Sequence, residues 1–470
     1  MCPVELPPTR VLRHPLGRWI DPADAWAALL ADEPNSFWLD SGQGAGTSYL
    51  GAGGRVIGGS GVFDDLRSEL AENRVDVAGQ GFALGWVGWL GYELRSVTLG
   101  TPVARSSRYP DAALMYVDRA LAFDHATGEV TLLALGREWT GDLAEWRAST
   151  IAALASRVVV PGEFLTGETF PREKVPGLVS PRQFFPEKVL PRHPAPALAE
   201  WAYSDAEYLG MIAECQAAIR AGDAYQLCLT TEARVAGEFD PFRTYLALRE
   251  SSPAHHGGLI RIGGVALLSA SPEQFLGVSP DGVVESKPIK GTRPRGETVE
   301  ADDAFCAELL ASDKERAENL MIVDLMRNDI GRVSELGTVV VSSLFAVETY
   351  RHVHQLVSTV RGRLLRGRTG VDAVEVCFPA GSMTGAPKRA ATLILEGLEA
   401  RPRGIYAGAF GYFGLDGRVD LAMVIRSIVL DGAGATVGAG GGITALSVPE
   451  EELAEARLKA AALLTVLGAG

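Results

Sequence analysis

The sequence predicts an α/β fold of the α+β kind, built on antiparallel or mixed sheets and not on a βαβ repeat. Two observations carry this. Strand-like runs follow one another in pairs, as in GVALLSASPEQFLGV (264–278) with GVVESKPI (282–289), and GIYAGAFGYFG (404–414) with VDLAMVIRSIVL (419–430). Helical stretches interrupt those runs only now and then, which is how strand-rich α+β chains are written.

The elements can be justified in order. Residues 1–160 read as short strands joined by Gly and Asp turns: FWLDSG (37–42), GFALGWVGWLGYEL (81–94), ALMYVDRALAFDH (113–125) and EVTLLAL (129–135). A helix is expected over about 142–158. Residues 161–200 carry Pro161, Pro171, Pro176, Pro181, Pro186, Pro191, Pro194 and Pro196 with little periodicity, a composition that suits a linker. Residues 201–470 form the third region. There Ser204 precedes a helix as N-cap, with Glu207 three residues on and Gly222 to stop it. AYQLCLTTEARV (224–235), GTVVVSSLFAVETY (337–350) and ATVGAGGG (435–442) read as strands. AENLMIVDLMRNDIG (317–331) and PEEELAEARLKAAALLTVL (449–467) read as helices.

Composition narrows the function. Hydrophobic residues make up 47% of the 470-residue chain and charged residues 22%, enough for a full core. A net charge of −14 argues against a nucleic-acid partner, which needs clustered Lys and Arg. Prolines occupy the first residues, where a secretory signal would be apolar, and no apolar run is long enough to span a membrane. A cytoplasmic protein is expected. Cys2, Cys215, Cys228, Cys306 and Cys377 are scattered without metal-ligand spacing and read as free thiols.

Several residues invite chemistry. GSMTGAPK (381–388) lacks phosphate-loop spacing and VGAGGG (437–442) lacks the dinucleotide order, so both read first as tight turns whose N–H groups can still cradle a carboxylate. Glu318 opens one helix, and Glu451, Glu452 and Glu455 lie in the first turns of the last. Glu452 and Glu455 share a face and suit Mg2+, although acidic first turns are also ordinary helix-dipole chemistry. Lys290 closes a strand-like run; such a lysine either reaches solvent or, desolvated, becomes a nucleophile. His352 and His354 share a strand face without a third ligand.

Taken together, SASPEQF, PIKGTRPRG, DKERAENLMIVDLMRNDIGRV, GSMTGAPKRAA, YAGAFGYF, VIRSIV and PEEELAEARLKA stand in the order and spacing of the chorismate-utilising enzymes. The resemblance is strong over about 200–465. It is weaker before, through FWLDSG and GWVGWLGYE. It implies two stacked antiparallel-rich sheets with helices on the outer faces. It implies Glu318 and Glu455 as Mg2+ ligands with Glu452 in support. Tyr406 and Arg426 match residues that hold the enolpyruvyl carboxylate, Gly440, Gly441 and Gly442 a backbone cradle, and Gly291, Thr292, Thr384 and Lys459 further lining.

Three positions choose a branch. PIKGT, with Lys290, resembles the aminodeoxychorismate synthases and differs from the PIAGT of anthranilate synthases. By that resemblance the lysine attacks C2 of chorismate as the C4 hydroxyl leaves, and ammonia then adds at C4. Glu273 matches the acid for the departing hydroxyl. Gln226 stands where isochorismate-type enzymes carry a water-activating lysine. Gln274 replaces the Arg of SPERF, and Gln355 replaces a His before LVS, with His354 adjacent as an alternative substrate contact. The expected activity is amination of chorismate toward 4-aminobenzoate and folate. No GxCxG nucleophile motif is present, so a separate glutamine amidotransferase is the expected ammonia source. Anthranilate synthesis and a non-catalytic scaffold are the alternatives. Leu39, Asp40 and Ser41 resemble the Leu-Glu-Ser stretch with which anthranilate synthases bind tryptophan.

Overall fold

The computed structural model describes residues 9–42, 46–75, 81–155, 198–350 and 353–469. His352 and the 161–200 linker as far as residue 197 lie outside the described residues.

Among the described residues two sheets, of 12 and 10 strands, carry the fold, and every strand pairing there is antiparallel. Their inner faces meet in a core that contains Phe37, Ile260 and Leu267 from the larger sheet and Val87, Trp89, Met115 and Phe410 from the smaller. Helices close the outer faces. Trp26, Tyr245 and Leu463 cover the larger sheet, while Phe63, Ile322, Met326 and Val374 cover the smaller. The result is the two-sheet sandwich with outer helices that the resemblance implies.

Because each sheet is covered on both sides, neighbouring residues bury in opposite cores. Phe37 enters the inter-sheet core and Trp38 the helix-covered one. Gly85–Leu90 and Ala409–Gly414 are therefore buried at every position. Strands read from the sequence are mostly present, but three runs break in two. Ala112–Val117 belongs to the smaller sheet and Arg119–Asp124 to the larger. Val265–Ser271 and Gln274–Val278 divide the same way, as do Val419–Met423 and Ser427–Asp431. At each break the chain steps from one sheet to the other.

Strands from residues 10–136 pair directly with strands beyond 255. Ser36–Asp40 lies beside His256–Ile262 in the larger sheet, and Gly85–Leu90 lies beside Ala409–Gly414 in the smaller. The capping box at Ser204 and Glu207 is present, and Gly222 ends that helix at φ +86°. One helix is longer than its sequence suggests. Asp313–Gly331 begins four residues before Ala317, with the Ser312 hydroxyl accepting from Glu315 N–H at 3.3 Å, so Glu318 lies in its second turn.

Candidate active site

Lys290 opens a strand and does not close one. It lies on Ile289–Pro294, at the end of the strand order of the smaller sheet. Ile289 pairs with Val357 and Thr292 with Gln355, so Lys290 and Gly291 together face Leu356. A two-against-one bulge kinks its strand and re-aims a side chain. Gly291 makes this possible. Its φ is +81°, and a Cβ there would fall 2.7 Å from Leu309 Cδ1 and 2.9 Å from Glu315 Cδ.

The bulge directs the Lys290 ammonium to 3.6 Å from Glu318 Oε2, with Glu273, Cys228 and Glu455 also within electrostatic reach. Burial would lower its pKa, but those acidic neighbours outweigh it and hold the amine charged, above its ordinary value. The direction is opposite to the fall a resting nucleophile would need.

Glu273 sits at the step between Val265–Ser271 and Gln274–Val278. Burial pushes its carboxyl up to about 7, against the opposing pull of Lys290 and a hydrogen bond with Ser382. It is thus a protonated or half-protonated acid beside a cation, the state a proton donor requires near neutrality. Arg426 occupies the matching step before Ser427–Asp431, at φ +51°. Burial lowers its pKa; Tyr406 and Glu455 oppose that. Tyr406 is buried, its ring filling the space a Cβ on Gly438 would take, 2.1 Å from Cγ.

Glu318 and Glu455 come from Asp313–Gly331 and Pro449–Val466, and both are felt by Lys290. Lys459 bridges Glu455, at 2.6 Å, and the Gly440 carbonyl, at 2.9 Å. Glu452 accepts from the Ser447 hydroxyl at 2.7 Å, and burial, with Glu455 nearby, raises its pKa. The three glycines answer to their neighbours. A Cβ would strike Leu229 O from Gly440 at 2.3 Å, crowd Glu452 Oε2 from Gly441 at 3.1 Å, and strike Gln226 Nε2 from Gly442 at 2.1 Å. Gln226 is buried, and its Oε1 has no partner among the described residues.

Two expected contacts are placed differently. The Thr384 hydroxyl donates to the Ala380 carbonyl at 3.1 Å, and its own carbonyl accepts from Cys228 N–H at 2.9 Å, so Thr384 ties its turn to a strand. His354 turns away from the Lys290 cluster toward the helix Val299–Ala311. Asp302 and Cys306 on that helix, with Thr349 at the end of the neighbouring strand Val340–Thr349, take up its ring nitrogens. Adjacent strand residues point to opposite faces, so His354 and Gln355 cannot both face the site. The residues missed by sequence reasoning are Glu315, Ser382 and Cys228. Glu315 lies three positions before Glu318, and burial together with Glu318 raises its pKa. The i,i+3 argument used for Glu452 and Glu455 would have found it.

The carboxylates suit a hard cation in donor type: all oxygen, from two helices. Among the described residues no three His, Cys, Asp or Glu groups already stand in a metal-holding arrangement. Glu318 is instead paired with Lys290, and Glu455 with Lys459.

A cavity of about 720 Å³ lies between the sheets, lined among others by Leu39, Asp40, Ser41, His255, His256 and Tyr412. Asp40 is committed, accepting from Ser48 at 2.8 Å and pairing with Arg249. The Ser41 hydroxyl is buried without a partner among the described residues.

Residues 27–465 match the chorismate binding enzyme family. The chain is 42% identical to an aminodeoxychorismate synthase of Streptomyces pristinaespiralis, over 94% of this chain and 63% of that protein. It is 34% identical to anthranilate synthase component 1 of Mycobacterium tuberculosis H37Rv, over 95% of this chain and 90% of that one. The crystal structure of anthranilate synthase component I from Streptococcus pneumoniae superposes with a TM-score of 0.70 at 26% identity, covering 97% of this chain and 92% of that one. The chain thus spans under two thirds of the length of the Streptomyces relative. No described helix is long and apolar enough to cross a membrane.

The raised carboxyl of Glu273 has a testable sign. A carboxyl whose folded pKa exceeds its ordinary 4.5 supports the fold fully below that value and loses the contribution as pH rises through about 7. Glu273→Gln should therefore melt with the parent near pH 4.5 and above it at pH 8. A parent-to-variant difference that stays constant across this range would mean that Glu273 titrates as an ordinary surface carboxyl.

Proposed function

The chain belongs to the chorismate binding enzymes, and we propose that it aminates chorismate at C4 to give 4-amino-4-deoxychorismate. The observation that carries this is Lys290. It occupies a bulge between Glu318 and Glu273, at the position where the anthranilate branch resembles PIAGT and has alanine.

In the proposed reaction Tyr406 and Arg426 hold the enolpyruvyl carboxylate, and the Gly440–Gly442 strand lies beneath the ring. Lys290, once neutral, forms a bond to C2 as both ring double bonds shift by one position and the C4 hydroxyl departs as water with the proton of Glu273. Ammonia then bonds to C4, both double bonds shift back, and the Lys290 amine leaves C2. Excess protons on the new amine return to Glu273. Gln226 keeps water from being activated at C2, since an amide is no base. Glu318 and Glu455, with Glu452 in support, are the residues that would hold Mg2+. When bound, it would neutralise the carboxylates that keep Lys290 charged and receive the ring carboxylate of chorismate. A glutamine amidotransferase is the proposed source of ammonia.

Chorismate, ammonium and Mg2+ supplied to the purified protein should give a product that an aminodeoxychorismate lyase converts to 4-aminobenzoate. Glu273→Gln should lower the rate by about 10²–10⁴-fold. Lys290→Ala should lower it less, because direct attack by ammonia remains open. Anthranilate and pyruvate as main products would move the chain to the other branch.

The metal assignment has a readout independent of turnover. Mg2+ titrated calorimetrically into Glu318→Gln or Glu455→Gln should bind roughly tenfold or more weaker than to the parent, the worth of one charged contact. Unchanged affinity would remove these carboxylates from the site.

We also propose that the inter-sheet cavity binds tryptophan, a reading supported by its position at Leu39–Ser41 and by the buried Ser41 hydroxyl, which has no partner among the described residues. Tryptophan should raise the melting temperature of the parent and leave a Ser41→Ala, Leu39→Asp double variant unmoved. No shift in the parent sinks the idea.

A further inference from the structure

Away from the Lys290 cluster, a second group of side chains has the make-up of a nucleophile with its base. Cys306 Sγ lies 3.3 Å from His354 Nδ1, and His354 Nε2 lies 2.8 Å from Asp302 Oδ1. An ionised carboxylate only accepts, so Nε2 carries the proton and Nδ1 keeps its lone pair toward the thiol. The Thr349 hydroxyl, 2.9 Å from the same Nδ1, is the other donor there. The histidine side chain is 1% exposed and cannot swing out to solvent. Asp302 is fixed in turn by both arms of Arg295, each at 2.8 Å, and by Gly296 N–H at 2.7 Å. A nucleophile, a base within reach and a third group that orients the base are the parts of an activated site.

Of the four described cysteines, Cys215, Cys228 and Cys377 are buried and Cys306 alone is partly exposed. Burial and the carboxylates of Asp302 and Asp303 raise its pKa, with Arg295 opposing. The thiol therefore rests protonated and depends on His354 to take its proton.

Its position gives a modification consequences. Cys306 and Leu309 are three apart and share one face of Val299–Ala311. Leu309 is buried at the spot where a Cβ on Gly291 would fall, 2.7 Å away, and Gly291 follows Lys290 in the bulge. A bulky group on Cys306 that displaces this face of the helix would disturb that strand through Leu309.

We propose that Cys306 is a site of thiol–disulfide modification, with His354 as its base and Asp302 as the residue that orients the base. The substrate class is a low-molecular-weight disulfide. The Cys306 proton passes to His354 Nδ1, and the sulfur attacks one sulfur of RS–SR. The reagent's S–S bond breaks as the Cys306–S–SR bond forms, and RS⁻ leaves to take the proton back from His354 as RSH. Cys306 is oxidised, the departing half is reduced, and excess free thiol reverses the step.

The test treats the full chain with oxidised glutathione and follows adducts by intact mass and peptide mapping. One adduct should form first, on Cys306. His354→Gln and Asp302→Asn, checked as folded by near-ultraviolet circular dichroism, should each slow it by roughly tenfold or more. The parent alone gives a second readout: base assistance flattens the rate–pH profile below the thiol's own ionisation, whereas a slope of one throughout overturns the role of His354. First modification at another cysteine, or rates unchanged in both variants, overturns the site. The adduct should also speed hydrogen exchange at residues 289–293, and unchanged exchange overturns the coupling to the bulge. A further arm rests on the proposed amination. The adduct should lower synthase rate in the parent and not in Cys306→Ser, which should keep full basal activity. An adduct with altered exchange in a protein that makes no aminodeoxychorismate would sink the amination and leave the thiol site standing.

Discussion

The buried ion pair of Arg403 and Glu399 holds the site's parts in register. Arg403 donates to both Glu399 oxygens, at 2.6 and 2.8 Å, and to the carbonyls of Met383 and Cys228, at 2.6 and 2.8 Å. Glu399 in turn accepts from Thr230 N–H at 2.8 Å and its hydroxyl at 3.0 Å. One guanidinium thus fastens the strand that bears Gln226, the turn that ends at Thr384, and the segment that delivers Tyr406. Its face lies 4.3 Å from the Tyr92 ring, and the neighbouring Glu93 carboxylate accepts from the N–H groups of Arg403 and Gly404 at 2.8 and 2.9 Å. Burying charge is costly unless every partner is present, and here the partners are the backbone of the site itself. Loss of the strand or of the turn would leave buried guanidinium N–H groups or carboxylate oxygens without partners, so these elements support one another.

Much of the sandwich was legible in the sequence, and the reason for what was not is specific. Alternation marks a strand with one wet face, but Gly85–Leu90 and Ala409–Gly414 have none, because both sheets are covered on both sides. Pattern reading therefore ran Val419 to Leu430 and Val265 to Val278 as continuous strands. The breaks hold Arg426 and Glu273, each displaced from the ladder because the chain is changing sheets. Only the motifs flagged these two residues; their hydrophobic surroundings gave no signal.

The same holds at single positions. Lys290 was visible as a lysine in an otherwise familiar string, but the bulge that aims it depends on pairing with Val357 and Gln355, far along the chain. Glu315 was within reach of a spacing rule already applied to another helix. The start of that helix was read four residues late, which hid its first turn. His354 and Gln355 posed a choice of strand face that no local pattern resolves. The structure resolves it through Asp302, on a helix the sequence did not tie to that strand.

The interleaving of early and late strands bears on how such a chain comes to be folded. Ser36–Asp40 has on one side Thr47–Ala52, available at once, and on the other His256–Ile262, which emerges from the ribosome much later. Gly85–Leu90 waits longer still, for Ala409–Gly414. Until then each presents an open edge, the form of exposure that invites pairing with the wrong chain. Pairings this distant in sequence also carry a large loop-closure cost before they return any contact energy, so the two sheets zip late and slowly. Assembly of this sandwich is a race between the arrival of its own last strands and capture by a neighbour, and synthesis rate and chaperone supply set the odds.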